Sequence, residues 1–214
     1  MAGAIFSEPV ESYLQSLAIE GSPGSPVLRD MEAEAVTRKF PIVGPEVGRF
    51  FMQLAMLRRP KRILELGSGF GYSAIWWALG CPEAVIDCTE LQQENIDSAM
   101  AYAGRAGVAD RIHYHRGDAM TSARTLSPPW DIIFCDINKH EYVEALDFAL
   151  PHLRPGDVLV YDNMLWHGNV VGEPSGWTHE TTAVIETTRR IYADPRFRAS
   201  LLPIRDGVLM AIRL

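Results

Sequence analysis

Between positions 63 and 73 the chain reads ILELGSGFGYS, an apolar run with a carboxylate at Glu65, then alternating glycines at Gly67, Gly69 and Gly71, with Ser68 and Ser73 among them. Glycines so placed let a backbone turn tightly and approach a ligand where a Cβ would clash, and a helix that follows offers unpaired N–H groups. The spacing bears on which ligand. A dinucleotide fingerprint needs G-x-G-x-x-G so that pyrophosphate rests on the helix N-terminus, and counting from Gly67 its last position holds Tyr72, which disfavours NAD. Glu65 at a strand end suits a ligand with a cationic amino group, and S-adenosylmethionine carries an α-amino group and a sulfonium. The same residues also fit a plain strand–turn–helix without a ligand.

Further polar residues follow other apolar runs. Glu90 stands 25 positions after Glu65, where a carboxylate either accepts both ribose hydroxyls of a nucleoside or serves as a charge at a helix start. Gly117-Asp118-Ala119 reads as an adenine contact or as a turn with an N-cap. Asp136 follows IIFC, and Asp162-Asn163 follows VLVY. If these runs are neighbouring strands, Asp136, Asp162 and Asn163 meet at their ends. Three oxygen ligands without His or Cys suit a hard divalent ion such as Mg2+, which keeps waters that a chelating substrate displaces. Asp-Asn after a strand is also ordinary turn chemistry. Lys139 comes three residues after Asp136, about one helical turn on. A lysine beside a cation and shielded from water has a lowered pKa and acts as a general base; without that setting it is a solvated charge.

The elements that must position these residues alternate. Strands are expected at 62–66, 84–89, 112–115, 131–135 and 157–161, with helices at 72–79, 92–106, a short one after Asp118, and 142–152. Such alternation predicts an α/β fold: a doubly wound, mostly parallel sheet with helices on both faces and ligands at the carboxyl ends of the strands. Two more strand-like runs, 197–203 and 208–212, flank Asp206-Gly207, a hairpin signal, so the sheet should finish with an antiparallel strand. Before the sheet come helical stretches at 9–19, 27–38 and 46–57, the last with Pro45 placed as a first helical residue. The linker-like Gly21-Ser22-Pro23-Gly24-Ser25-Pro26 interrupts them. The expected organisation is an N-terminal helical cap over 1–40 and a main domain over 41–214.

Composition narrows the partners. A formal charge of −7, with no basic run beyond the cluster Arg58, Arg59, Lys61 and Arg62, leaves no footprint for a nucleic-acid backbone, so a small-molecule substrate is expected. Cys81, Cys88 and Cys135 are odd in number, lie in or beside apolar runs and read as buried thiols. With no leader pattern and no membrane-length apolar run, the expected setting is cytoplasmic, with no membrane partner.

Several longer strings carry a resemblance: KRILELGSGFGYSAIWWA, GDA, DIIFCDINKHEY, LRPGDVLVYDNMLWHGNV and LPIRDGVLMAI. Jointly they resemble the cation-dependent O-methyltransferase family, which includes catechol and caffeoyl-CoA O-methyltransferases and has a Rossmann-like sheet; E-L-G-x-G-x-G also looks like the first motif of class I methyltransferases. The resemblance implies that Asp136, Asp162 and Asn163 hold the metal and that Lys139 is the base. It further implies that Val43, Glu65, Gly67, Ser68, Ser73, Glu90, Ala119 and Asp136 contact S-adenosylmethionine. Two positions depart. Asn138 stands where the family usually has a second Asp, and His167 stands where relatives acting on coenzyme A esters carry Asn, which argues against such an ester. The reaction implied is methyl transfer to a phenol oxygen of a vicinal diol, the metal favouring phenolate and Lys139 taking the proton. Trp166, with His167 beside it, is the expected wall of the acceptor site.

Other residues have plainer readings. Trp76 and Trp77 are expected in the core or at a cofactor edge, and Met52, Met56 and Leu57 in the core. His113 and His115 share a half-exposed strand face. Val10, Tyr13, Leu14 and Leu17 form an apolar helical face that would pack on a second subunit, as a homodimer, or over the substrate. An NAD-dependent oxidoreductase shares the fold but fails the glycine spacing. A non-catalytic S-adenosylmethionine-binding regulator needs no metal triad, and a metal-dependent phosphohydrolase would release phosphate rather than transfer a methyl group.

Overall fold

In the computed structural model, which describes residues 7–20 and 26–214, the chain builds one seven-stranded sheet with helices on both faces. The elements run α1 (Glu8–Glu20), α2 (Pro26–Arg38), α3 (Gly44–Arg58), β1 (Arg62–Leu66), α4 (Tyr72–Gly80), β2 (Val85–Glu90), α5 (Gln93–Arg105) and β3 (Ile112–Arg116). They continue with α6 (Ala119–Ala123), β4 (Ile132–Cys135), α7 (Tyr142–Ala149), β5 (Val158–Tyr161), α8 (His179–Ala193), β6 (Phe197–Leu202) and β7 (Val208–Arg213). The linker expected over 21–26 lies, apart from Pro26, outside the described residues.

Strand order is β3-β2-β1-β4-β5-β7-β6, parallel through β5. The sheet ends in the expected antiparallel hairpin, with β7 inserted between β5 and β6. Strand order reverses on either side of β1, so the crevice beyond the ends of β1 and β4 is the topological switch point where such sheets bind ligands.

Period-two alternation distributes the core. Ile63, Ile132, Phe134, Val158 and Val160 face α2, α3 and α4, while Leu64, Leu66, Ile133, Cys135, Leu159 and Tyr161 face α6, α7 and α8. Trp76 and Trp77 are fully buried, and Trp77 stacks on Phe51 at 4.2 Å, which makes both tryptophans core. The three cysteines are buried free thiols. His115 pairs with Asp87 at 3.0 Å, and His113 is exposed. On α1, Val10, Tyr13, Leu14 and Leu17 are exposed. Among the described residues no helix is long and apolar enough to cross a membrane.

Two expectations are corrected. Met56 and Leu57 are exposed, because α3 turns Val47, Phe51 and Ala55 inward at four-residue spacing and leaves the two residues after Ala55 facing out. The helix α8 is one that local sequence pattern does not predict. Its interior carries Thr181, Thr182, Val184, Ile185, Thr187 and Thr188, β-branched residues with poor helix propensity. Tertiary burial of Thr181, Val184, Ile185 and Ile191 overrides that preference, and Thr178 caps the start by accepting from Thr181 N at 3.2 Å.

Candidate active site

The glycine turn joins β1 to α4. Gly67 has φ +80, and a Cβ there would meet the Asp136 carbonyl oxygen at 2.4 Å, so only glycine lets the turn lie against the neighbouring strand end. Hydrogen bonds from Gly67 N to Thr89 Oγ1 (3.1 Å) and from Ser68 N to Thr89 O (3.0 Å) fix the turn on β2. We predict that Gly67→Ala lowers stability by about 1–3 kcal/mol from backbone strain alone, with more from the clash. A thermal midpoint equal to the parent's would refute that.

Glu65 ends up wholly buried beneath this turn. Ser73 Oγ donates to its Oε1 at 2.6 Å, while Oε2 has no partner. Burial, with a smaller contribution from the Asp136 charge, outweighs the Ser73 bond and pushes the Glu65 carboxyl up to about 8. A buried carboxylate oxygen without a donor is costly unless a ligand supplies one. Ser68 is buried in the turn, and Val43, at the N-terminal end of α3, is buried in the adjoining core.

At the end of β2, Glu90 accepts from Gln92 N (2.8 Å) and Asn95 Nδ2 (3.0 Å), both on Oε1. It therefore does serve the helix start, and its second oxygen remains for another donor. Asp118 caps α6 by accepting from Thr121 N at 2.8 Å, and Ala119 is the first residue of that helix. The turn-and-cap reading of 117–119 is thus realised.

The paired register of Cys135 with Tyr161 sets Asp136 and Asp162 side by side one residue later, with Asn163 following at φ +55. Asp162 is buried, and desolvation together with the Asp136 charge holds its carboxyl up at about 7. Lys139 is buried too. Its Nζ donates to Asp136 Oδ1 (3.0 Å), Ile137 O (3.2 Å) and Tyr142 OH (2.7 Å). Tyr142 OH in turn donates to Asp162 O at 2.9 Å, and Tyr161 OH to Tyr142 O at 3.2 Å. Sequence reasoning overlooked Tyr142, although its position three residues after Lys139 at a helix start was the available signal. Asn138 is exposed and bonds Glu141 at 2.8 Å, so its missing charge lies away from this cluster.

Beyond Asp162 the chain makes an irregular turn in which Trp166 (φ +46) and His167 (φ +57) both take the left-handed conformation. The tip of the β6–β7 hairpin holds it there. Asp206 Oδ1 accepts from His167 N at 2.6 Å, Asp206 O from Leu165 N at 2.8 Å, and Gly207 O from Met164 N at 2.9 Å. The Trp166 ring is half-buried with its centroid 5.9 Å from Lys139 Nζ, and the exposed His167 ring stacks beside it at 5.3 Å.

Among the described residues no three His, Cys, Asp or Glu side chains gather as a metal cluster. Two carboxylates, Asp136 and Asp162, meet beside Lys139, and Asn163, next in the chain, offers a third side-chain oxygen. That all-oxygen donor set fits a hard cation, which would offset the charge that burial disfavours at Asp162.

Fold and crevice together define a class, a doubly wound α/β protein whose switch-point crevice lies beyond the ends of β1 and β4. A profile of the O-methyltransferase family matches residues 20–214. Caffeoyl-CoA O-methyltransferase 1 of Eucalyptus globulus is 28% identical over 198 residues, covering 86% of this chain and 80% of that one. Its Arabidopsis thaliana counterpart is 29% identical over 199 residues, with coverage of 86% and 77%. Among solved structures, the O-methyltransferase from Bacillus cereus in complex with SAH superposes with a TM-score of 0.86 at 26% identity, covering 95% of this chain and 97% of that one. TomG from Streptomyces achromogenes, involved in tomaymycin synthesis and solved with SAM, gives 0.85 at 28% identity with 96% coverage of each. The chain belongs to the O-methyltransferase family, and its reaction is methyl transfer to oxygen.

Proposed function

We propose that the protein methylates one hydroxyl of a catechol-type aromatic, using S-adenosylmethionine and a divalent cation, Mg2+, held by Asp136, Asp162 and Asn163. The observation that carries this reading is the meeting, at one crevice, of the unpaired buried oxygen of Glu65 with the Asp136–Asp162 pair and Lys139. Relatives solved with SAM and SAH support the donor.

The donor supplies an electrophilic methyl group on a sulfonium. Glu65 and Ser73 receive its amino-acid end and Glu90 its ribose, while Gly67 allows the close backbone approach. The cation, when bound, favours the ionised form of the acceptor hydroxyl. Lys139, whose Nζ is placed by Asp136, Ile137 and Tyr142, would first give one of its three N–H protons to solvent and then, as the neutral amine, take the phenol proton. Trp166 forms an aromatic wall beside it. His167, held by Asp206, replaces the Asn of relatives that act on coenzyme A esters, so the acceptor proposed is a free catechol or hydroxycinnamate. Transfer of labelled methyl from the donor to a panel of catechols, hydroxycinnamates and their coenzyme A esters, with Mg2+ present, tests this. Transfer to the thioesters alone would refute the acceptor assignment.

Glu65 gives a separate test. Its raised carboxyl keeps a proton in the ligand-free protein below pH about 8, and a cationic ligand favours the ionised form. Donor binding at pH 7 should therefore release about one proton. Calorimetry in buffers of different ionisation heat reads that release, and Glu65→Gln should abolish it. The sign for stability follows from the same shift: the unfolded chain loses this proton first, so the ligand-free protein should weaken as pH rises from the ordinary carboxylate range toward 8. A binding heat independent of buffer would sink the role given to Glu65.

A further inference from the structure

Asn95 is buried on the first turn of α5, and its two amide atoms face different partners. Oδ1 accepts from Arg38 Nη2 at 2.7 Å, and Nδ2 donates to Glu90 Oε1 at 3.0 Å. A guanidinium only donates and a carboxylate only accepts, so this amide has one permitted orientation. Arg38, at the end of α2, is itself held three ways. Its Nη1 pairs with Glu34 Oε1 at 3.0 Å, and its guanidinium lies 5.4 Å from the Phe40 ring and 5.3 Å from the Phe70 ring. Phe70 belongs to the glycine turn itself. Glu34 is anchored from the other side by Tyr102 OH.

We infer that Arg38 and Asn95 are positioning residues for the donor's ribose, acting through Glu90. With Gln92 N and Asn95 Nδ2 both on Oε1, the carboxylate is locked in rotation and its Oε2 is left for the ribose hydroxyls. Without Arg38 the amide keeps its orientation only through Glu90 and loses the contact that holds its Oδ1 end in place, so its grip on the carboxylate loosens. The helix α2, which precedes the glycine motif by some thirty residues of sequence, thereby becomes part of the donor site. This inference rests on the S-adenosylmethionine reading, and no part of the reacting centre is involved.

The test is equilibrium binding of S-adenosylhomocysteine and of its 2′-deoxyribose analogue to the full chain. The parent should prefer the ribose form by roughly 10–100-fold, the usual worth of a hydrogen bond to a charged group. Glu90→Ala should erase the preference. Asn95→Ala should shrink it at least about threefold by weakening the ribose form, with the deoxy form nearly unchanged. Arg38→Met, which keeps the apolar stem, should have a smaller effect in the same direction, and Arg38→Lys should restore part of it. If Asn95→Ala and Arg38→Met weaken both ligands equally, or neither, while Glu90→Ala erases the preference, the inference is overturned and the donor reading stands. A preference that survives Glu90→Ala overturns the inference together with the ribose role given to Glu90, and loss of S-adenosylhomocysteine binding by the parent itself overturns the donor reading. Should Asn95→Ala fail to fold, Arg38→Met decides alone.

Discussion

Stripping divalent cations with a chelator should reduce methyl transfer by at least about a hundredfold, and added Mg2+ should restore it. A phenol with a pKa near ~10 is only about one part in a thousand ionised at pH 7, so an acceptor deprived of the cation presents little nucleophile. Asp162→Ala should reproduce the loss with S-adenosylhomocysteine affinity nearly intact, because the proposed donor residues lie mainly on β1 and β2. The variant should also stay folded. Burial and the Asp136 charge already oppose ionisation at Asp162, so removing its carboxyl relieves an unfavourable burial rather than breaking a stabilising pair. Full turnover of catechols in the chelated enzyme would mean that Asp136, Asp162 and Asn163 serve only the strand ends.

Lys139→Ala should lower the rate by roughly 10²–10⁴-fold at neutral pH, the usual contribution of a positioned general base. The loss should diminish as pH rises, since an acceptor that ionises unaided no longer needs a proton acceptor at Nζ. That pH recovery separates base catalysis from a structural role. Lys139 also ties Asp136 to Tyr142, and a purely structural loss would depress the rate equally at every pH. Tyr142→Phe, which removes the acceptor of one Lys139 bond and the donor to Asp162 O, should give a smaller decrease. A flat ratio of parent to Lys139→Ala between pH 7 and 10 would remove Lys139 from the mechanism.

Residues whose roles are set by their immediate neighbours were legible in the chain. The glycine turn is one, since Gly67 must take a positive φ and lie against a backbone wherever the strand ends. The strand bearing Glu65, the paired runs that end in Asp136 and Asp162, and the hairpin at Asp206-Gly207 are others. Each is fixed by hydrophobic period and turn chemistry, which act over a few residues. The limits were equally physical. Apolar composition at Met56 and Leu57 does not say which face of α3 turns inward, and the β-branched residues of α8 favour strand until packing overrides them.

The sequence by itself determined the doubly wound sheet, the crevice and the types of group that line it. Only the tertiary structure decided which of those groups touch. Lys139 meets Tyr142 and Asp136, Asp206 reaches across 39 positions to hold His167, and Arg38 reaches across 57 to orient Asn95. Such contacts depend on how distant segments close on one another, and no local spacing encodes that. Burial likewise exists only once the core has formed, so the raised carboxyls of Glu65 and Asp162 belong to the folded protein and not to the chain.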